Sequence, residues 1–210
     1  KQLTSKPVVG VGWFTSPDHM VSQINRGILD FVGSARASIA DPFLPNKIFE
    51  GNEDDIRECI GCNICASCYN QGIPVRCTQN PTMGEEWRRG WHPERIKKKT
   101  SDENILIIGG GPAGLEAAMS LGKRGYEVTL AEKDMELGGR INKEIQLPGM
   151  SSYSRIRDYR THQINQLENV SVFLDNQMKV EDVIDMEFEH VVIASGSSWE
   201  LTTIDDKAIP

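Results

Sequence analysis

The chain has 210 residues, of which 39% are hydrophobic and 25% charged, with a formal net charge of −7. That is apolar material enough for one large domain or two small ones, and the acidic balance gives no support to binding of nucleic acid or of an anionic membrane. No apolar run approaches the about 18 residues of a transmembrane helix, and the opening "KQLTSKPVVGVGW" lacks the charged–apolar–small pattern of an export signal.

The chain starts without Met and runs straight into a strand-like segment, "PVVGVGW", so an internal piece of a longer protein, cut at both ends, is expected. "TSPDHMVSQINRG" then carries helix signals: Thr15 or Ser16 as N-cap, Pro17 at the first helical position, Asp18 in the first turn and Gly27 as the stop. "ILDFVG" is the next apolar strand, followed by "SARASIADPFLPNKIFEG". Two strands separated by one short helix fit a parallel crossover, which cannot close a sheet or bury its faces alone. These residues, 1–50, form a first region.

Residues 51–100 are polar and rich in Gly, Cys and Trp, with no clear periodicity. They end in a charged linker, "WHPERIKKKTSDEN", in which Lys97–Lys99 read as solvated. Residues 101–210 restart with strand, glycine turn, helix and strand in "NILIIGGGPAGLEAAMSLGKRGYEVTLAEKD". A helical "SYSRIRDYRTHQINQL" follows, then two strands, "ENVSVFL" and "EHVVIASG". The class is α/β.

Gly109, Gly111 and Gly114 stand in a G-x-G-x-x-G pattern. The pattern is weak alone, but here it follows an apolar strand, Ile105–Ile108, and opens a helix with Ala113, Ala117 and Leu121 on one face. After a second strand, Val128–Ala131, comes Glu132, where a ribose-binding acid is expected. Gly109 permits the tight turn, Gly111 lets backbone approach a pyrophosphate, and Gly114 lets helix and strand pack closely. The helix N-terminus, with its free N–H groups, faces the phosphates. "LGGR" (Gly138, Gly139, Arg140) adds a second glycine pair, and Val191–Gly196 reads as a buried strand whose small residues, Ala194 and Gly196, can approach a nucleotide.

All five cysteines fall within "CIGCNICASCYNQGIPVRC", spaced C-x2-C-x2-C-x2-C-x8-C. Disulfide frameworks spread along a chain, whereas a dense cluster without an export signal reads as metal binding in a reducing compartment. Zinc prefers two C-x2-C knuckles set apart by a loop, and here the two would collide. Three thiolates at steps of three with a distant fourth follow iron–sulfur logic. Cys68 would continue the run only as a ligand of a second cluster, for which no further ligands exist, and it lacks the following Pro of that motif. Cys59, Cys62, Cys65 and Cys77 are therefore the expected 4Fe–4S ligands, and Cys68 a partly buried thiol beside them.

"DFVGSARASIADPFLPNKIFEG", "CIGCNIC", "CTQNPTMGEEWRRGWHPE" and "GGGPAGLEAA", in that order, resemble the iron–sulfur flavoprotein amine dehydrogenases of the trimethylamine and dimethylamine type, with histamine dehydrogenase and 2,4-dienoyl-CoA reductase as wider relatives. The resemblance covers nearly the whole chain. It implies the end of an FMN-binding (β/α)8 barrel over 1–50, a 4Fe–4S segment over 51–100, and an incomplete Rossmann-like domain for ADP or FAD over 101–210. The family's phosphate-gripping Gly-Arg corresponds to Ala35–Arg36, and Gly10 and Gly12 would present backbone N–H groups to the same FMN phosphate. The family's fourth cluster ligand is the Cys of "CTQN", which supports Cys77; an extra thiol at Cys68 is a departure.

The resemblance further implies oxidation of a small methylated amine in the full-length parent, electrons leaving through the cluster to an electron-transferring flavoprotein, and a cytoplasmic setting; a homodimer is among the expected assemblies. An NADPH-dependent ene-reductase of the dienoyl-CoA kind is the alternative, and the isolated chain would be a non-catalytic electron-transfer and nucleotide-binding module. The family's catalytic groups lie in the first six barrel strands, so none is expected here. His19, His92, His162 and His190 read as structural or surface residues, and Trp87, Trp91 and His92 are expected to pack around the cluster segment.

Overall fold

The computed structural model describes residues 4–198 and, as backbone, 202–204 and 207–209. Strand β1 (Val9–Val11), helix α1 (Pro17–Asn25) and strand β2 (Phe31–Gly33) form the expected crossover, with Val9 opposite Phe31 and Val11 opposite Gly33 in parallel register. β1 is shorter than its apolar run because the chain leaves the extended conformation at Trp13, whose φ is +53°. Ser16 occupies the N-cap of α1 in extended backbone, but its hydroxyl makes no cap bond and turns instead to Glu58.

Helices α2 (Ala35–Ala40) and α3 (Leu44–Glu50) follow, hinged at Asp41. The Asp41 carboxylate is fully buried. It accepts from the amides of Phe43 (3.0 Å) and Arg57 (2.9 Å) and from Lys47 Nζ (2.8 Å). A buried charge survives when it is paired and hydrogen-bonded in this way. Lys47 also donates to the Asp55 carbonyl (2.9 Å) and to Glu94 (3.0 Å), joining α3 to the linker. Burial pulls the Lys47 ammonium down, but Asp41 and Glu94 outweigh it and hold its pKa above the usual value.

The cysteine region is less irregular than its sequence predicts. It holds a 3₁₀ turn at Glu53–Asp55 and two short helices, α4 (Ile64–Asn70) and α5 (Glu86–Arg89). At seven residues and without a side-chain cap, α4 is too short to show a period.

Strands β3 (Asn104–Ile108) and β4 (Glu127–Ala131) are joined by helix α6 (Pro112–Arg124). Helices α7 (Ile141–Glu144) and α8 (Ser154–Asn165) lead to β5 (Val170–Phe173), and α9 (Val180–Asp185) to β6 (His190–Ile193). The four strands form one parallel sheet in the order β5-β4-β3-β6. Leu106, Ile107, Leu115, Ala118 and Leu130 are wholly buried in its core. Backbone strands β7 (Thr202–Ile204) and β8 (Lys207–Ile209) pair antiparallel.

Two expectations need correction. Ala113 is exposed; α6 turns Leu115, Ala118, Met119 and Gly122 inward, with Ala117 and Leu121 flanking. Val191–Gly196 is not a buried strand: β6 ends at Ile193, lies at the sheet edge, and leaves Ile193 76% exposed. No helix among the described residues is long and apolar enough to cross a membrane.

Candidate functional site

The glycine turn closes where β3 meets α6. Gly109 has φ +109°, and a Cβ there would lie 2.5 Å from the Ala194 carbonyl oxygen. A Cβ on Gly114 would overlap the Gly109 carbonyl, so helix and turn touch backbone to backbone. Gly111, the helix cap, has open space around its Cα, as an approach by phosphate requires. The second glycine pair belongs to the same site: Gly138 N donates to Gly110 O (2.8 Å), and a Cβ on Gly139 would come within 3.2 Å of Gly111 Cα. Ala194 N donates to Ile108 O (2.8 Å), bringing the end of β6 to the turn, while Gly196, at φ +77°, stands in open space beyond it.

Glu132 sits at the end of β4, only 4% exposed. Its carboxylate already has two backbone donors, Gly110 N (2.5 Å) and Asp134 N (2.9 Å). It therefore shapes the glycine turn, and an ionised carboxylate keeps further lone pairs that a diol could use. Arg140 forms an ion pair with Glu144 (2.7 Å) on the outside of α7.

Within the cysteine loop, Cys59 and Cys62 lie near enough to Cys77 to act on its thiol electrostatically. Burial pushes the Cys77 thiol above its usual pKa; the Asn80 and Gln79 amides pull it part of the way back, and Cys62 and Cys59 add to the rise. Backbone N–H groups already point at sulfur: Gly61 N to Cys59 Sγ and Gln79 N to Cys77 Sγ, both 3.4 Å. The Thr78 hydroxyl lies 3.1 Å from Cys62 Sγ. Gly61 (φ +73°) and Asn63 (φ +59°) supply the left-handed turns between the first three cysteines. Cys65 is half-buried in the first turn of α4, and Cys68, one turn on, is 5% exposed.

Among the described residues no three His, Cys, Asp or Glu side chains converge as ligands of one ion. A cubane does not ask for that, since each thiolate binds a different iron. Clustered thiols with amide donors aimed at sulfur suit such a group, whose potential depends on those hydrogen bonds.

At the C-terminal end of β1 and β2 a cavity of about 160 Å³ is lined by Gly12, Trp13, Ser34, Ala35 and Arg36. Gly10 does not line it; it lies inside β1 with its Cα against the Leu29 side chain. Arg36 Nη1 donates to Asn63 Oδ1 (2.5 Å), so the guanidinium expected at the phosphate also reaches the cysteine loop. A larger cavity, about 500 Å³, is lined by Asp18, Glu53, Asp54, Glu58, Asp158 and His162, and contains none of the predicted site residues.

The tryptophan expectation needs correction. Trp87 is 97% exposed, and Trp91 packs under the Arg89 guanidinium, 4.8 Å away. His92 stacks near Phe43 (5.4 Å) and accepts from the amides of Glu94 and Arg95. His19 meets the Phe14 ring edge-on, and His190 faces Glu103.

What sequence reading missed is the role of α8. Its Arg155 donates to Cys59 O (2.7 Å) and Thr15 Oγ1 (3.0 Å) and pairs with Glu58 (2.6 Å). Arg160, buried, bridges Glu116 (2.7 Å) and Gln79 Oε1 (3.0 Å). The buried Arg57 stacks 5.0 Å from the Tyr159 ring and donates to its hydroxyl (3.1 Å). Asp55 receives bonds from Gln163 (2.7 Å), Gln166 (3.2 Å) and His162 (3.3 Å). The sequence signal was a polar helix carrying three arginines, Arg155, Arg157 and Arg160.

These features together define a Rossmann-like α/β unit fused to a cysteine-rich loop and to the end of a flavin-oxidoreductase barrel. The chain belongs to the pyridine nucleotide-disulphide oxidoreductase family, whose model matches residues 103–208. Residues 1–55 match the NADH:flavin oxidoreductase / NADH oxidase family. The chain is 46% identical to dimethylamine dehydrogenase of Hyphomicrobium over 99% of its own length and 29% of that protein. Its structure superposes on histamine dehydrogenase from Rhizobium sp. 4-9 with TM-score 0.90 and 56% identity, over 95% of this chain and 29% of that one. The 6-hydroxypseudooxynicotine amine oxidase of Pseudomonas geniculata N1 gives TM-score 0.90 and 56% identity, over 95% and 30%. The resemblance to flavin-dependent amine dehydrogenases drawn from the motifs therefore holds, and the chain spans about three-tenths of the length of these relatives.

Proposed function

We propose that this chain is the electron-relay and nucleotide-binding part of a longer flavin-dependent amine dehydrogenase acting on a small methylated amine. The observation that carries the reading is the pair of backbone amides aimed at the sulfurs of Cys59 and Cys77, with the Thr78 hydroxyl beside Cys62, in a loop tied to the cavity by Arg36. A bound 4Fe–4S cluster would supply one-electron transfer between a two-electron flavin and an external acceptor, here an electron-transferring flavoprotein in the cytoplasm.

The chain's own residues have distinct tasks in this reading. Cys59, Cys62, Cys65 and Cys77 provide thiolates, and Gly61 N, Gln79 N and the Thr78 hydroxyl stabilise negative charge on sulfur. Arg36, with the Gly12 backbone, binds an FMN phosphate; a forked guanidinium suits this because it can serve phosphate and Asn63 together. Gly109, Gly111 and the α6 N-terminus receive the pyrophosphate of ADP or FAD, and Glu132 orients both turn and ribose. No group in this chain is assigned to proton abstraction from the amine.

The test is made on the full-length protein. Iron and sulfide analysis with an EPR spectrum should show one 4Fe–4S cluster, and chromatography of released nucleotide should identify FMN with ADP. Methylated amines should bleach the flavin; no bleaching by any amine would sink the reading, and FAD with NADPH-driven alkene reduction would replace it with the ene-reductase.

A further inference from the structure

We propose that Trp13 is a positioning residue that locks the Cys59–Cys62 loop to the phosphate cavity, so that occupancy of one orders the other. The inference rests on the preceding reading of those two sites. Trp13 adopts φ +53°, a conformation that a bulky aromatic residue avoids unless its surroundings impose it. Two neighbours hold the backbone there: Phe14 O accepts from Ser34 Oγ (2.6 Å), and Thr15 Oγ1 accepts from Arg155 (3.0 Å).

The strained turn sends the indole onto Gly61. A Cβ at Gly61 would lie 2.6 Å from Trp13 Cζ2 and 3.1 Å from Cε2, so the ring fills the space that any other residue between Cys59 and Cys62 would need. The same Trp13 lines the cavity with Gly12, Ala35 and Arg36. A second tie runs parallel to it, from Arg36 to Asn63 on the other side of Cys62. The loop carrying two thiols is thus gripped on both flanks by residues of the cavity. A phosphate-bearing flavin that orders Trp13 and Arg36 orders the thiols too, and coupling of this kind is reciprocal.

The experiment follows the release of iron to a chelator from full-length protein, with FMN bound and after FMN is stripped. In the unmodified protein, stripping should speed iron release about tenfold, a typical size for two coupled sites. In Trp13→Ala, release should be fast whether or not FMN is present, and Trp13→Phe should be intermediate. Gly61→Ala, which displaces the indole and also strains the left-handed turn at φ +73°, should release iron at least as fast as Trp13→Ala. Unchanged release rates and an unchanged FMN effect in Trp13→Phe and Gly61→Ala would overturn the inference alone. Unmodified protein that carries no iron and sulfide would overturn the underlying reading, and this inference with it.

Discussion

Two parallel crossovers of this chain, β1–α1–β2 and β3–α6–β4, bury their strands very differently. Around β3 and β4, Leu106, Ile107 and Leu130 are completely buried, and helices and neighbouring strands enclose them. Around β1 and β2, Val11 is 75% and Phe31 59% exposed, although these strands are just as apolar in sequence. The difference is one of neighbours. A parallel strand needs cover on both faces; β3 finds it within this chain, whereas β1 and β2 have each other and α1. The first region is held by its junctions at Asp41, Lys47 and Thr15 and by a small cluster of Ala37, Leu44 and Ile56, which covers neither strand.

That contrast can be broken by substitution. Leu130→Ala should cost about 2–5 kcal/mol, the range for deleting a buried leucine, while Val11→Ala should stay within about 0.5 kcal/mol, as exposed positions do. Urea denaturation of this chain compares the two, and equal losses would contradict the contrast.

The junction should rank next. Arg160→Ala leaves Glu116 and Gln79 without their shared donor, and such a loss typically costs about 1–3 kcal/mol. It should also raise proteolytic cutting between residues 70 and 100, because Gln79 in turn holds the Glu58 carbonyl (3.2 Å). A third variant probes the nucleotide unit alone. Glu132→Gln replaces one of the two oxygens that accept from Gly110 N and Asp134 N by an NH2 donor, and ADP or FAD should bind about tenfold more weakly, roughly 1.4 kcal/mol, by calorimetry.

The smallest effect is in pH. Burial pushes the Asp55 carboxyl up, but hydrogen bonds from Gln166, Gln163 and His162 outweigh it and hold its pKa below the usual range. A depressed folded value means that stability is present above the unfolded pKa, about 3.9, and is lost as pH falls through the folded value. Asp55→Asn should therefore flatten the acid limb of the stability profile below about pH 4 by removing a stabilisation present at neutral pH, a small one because the site is partly exposed.

Much of the nucleotide unit was legible because its signals are local. Gly114 is demanded by the Gly109 carbonyl earlier in the same turn, and Gly109 by its own left-handed φ of +109°. The apolar runs of β3 and β4 read as strands for the same reason. The exposure of Ile193 was not legible, since a residue's own sequence does not say whether its strand lies at an edge. The placing of Arg155 and Arg160 was equally hidden. Their partners lie 44 to 140 residues away, and a polar helix facing polar backbone leaves no hydrophobic period to read.

The long reach of α8 has a meaning for the order in which the chain is made. Ser152 and Arg155 hold the carbonyls of Ile60 and Cys59 across 92 and 96 residues. On the ribosome the thiols therefore emerge well before the helix that fixes their loop. If the proposed cluster is bound, that interval is when iron and sulfide would enter the loop. Once residues 152–166 are synthesised, Ser152 and Arg155 fix its backbone, so insertion and folding would share a single deadline.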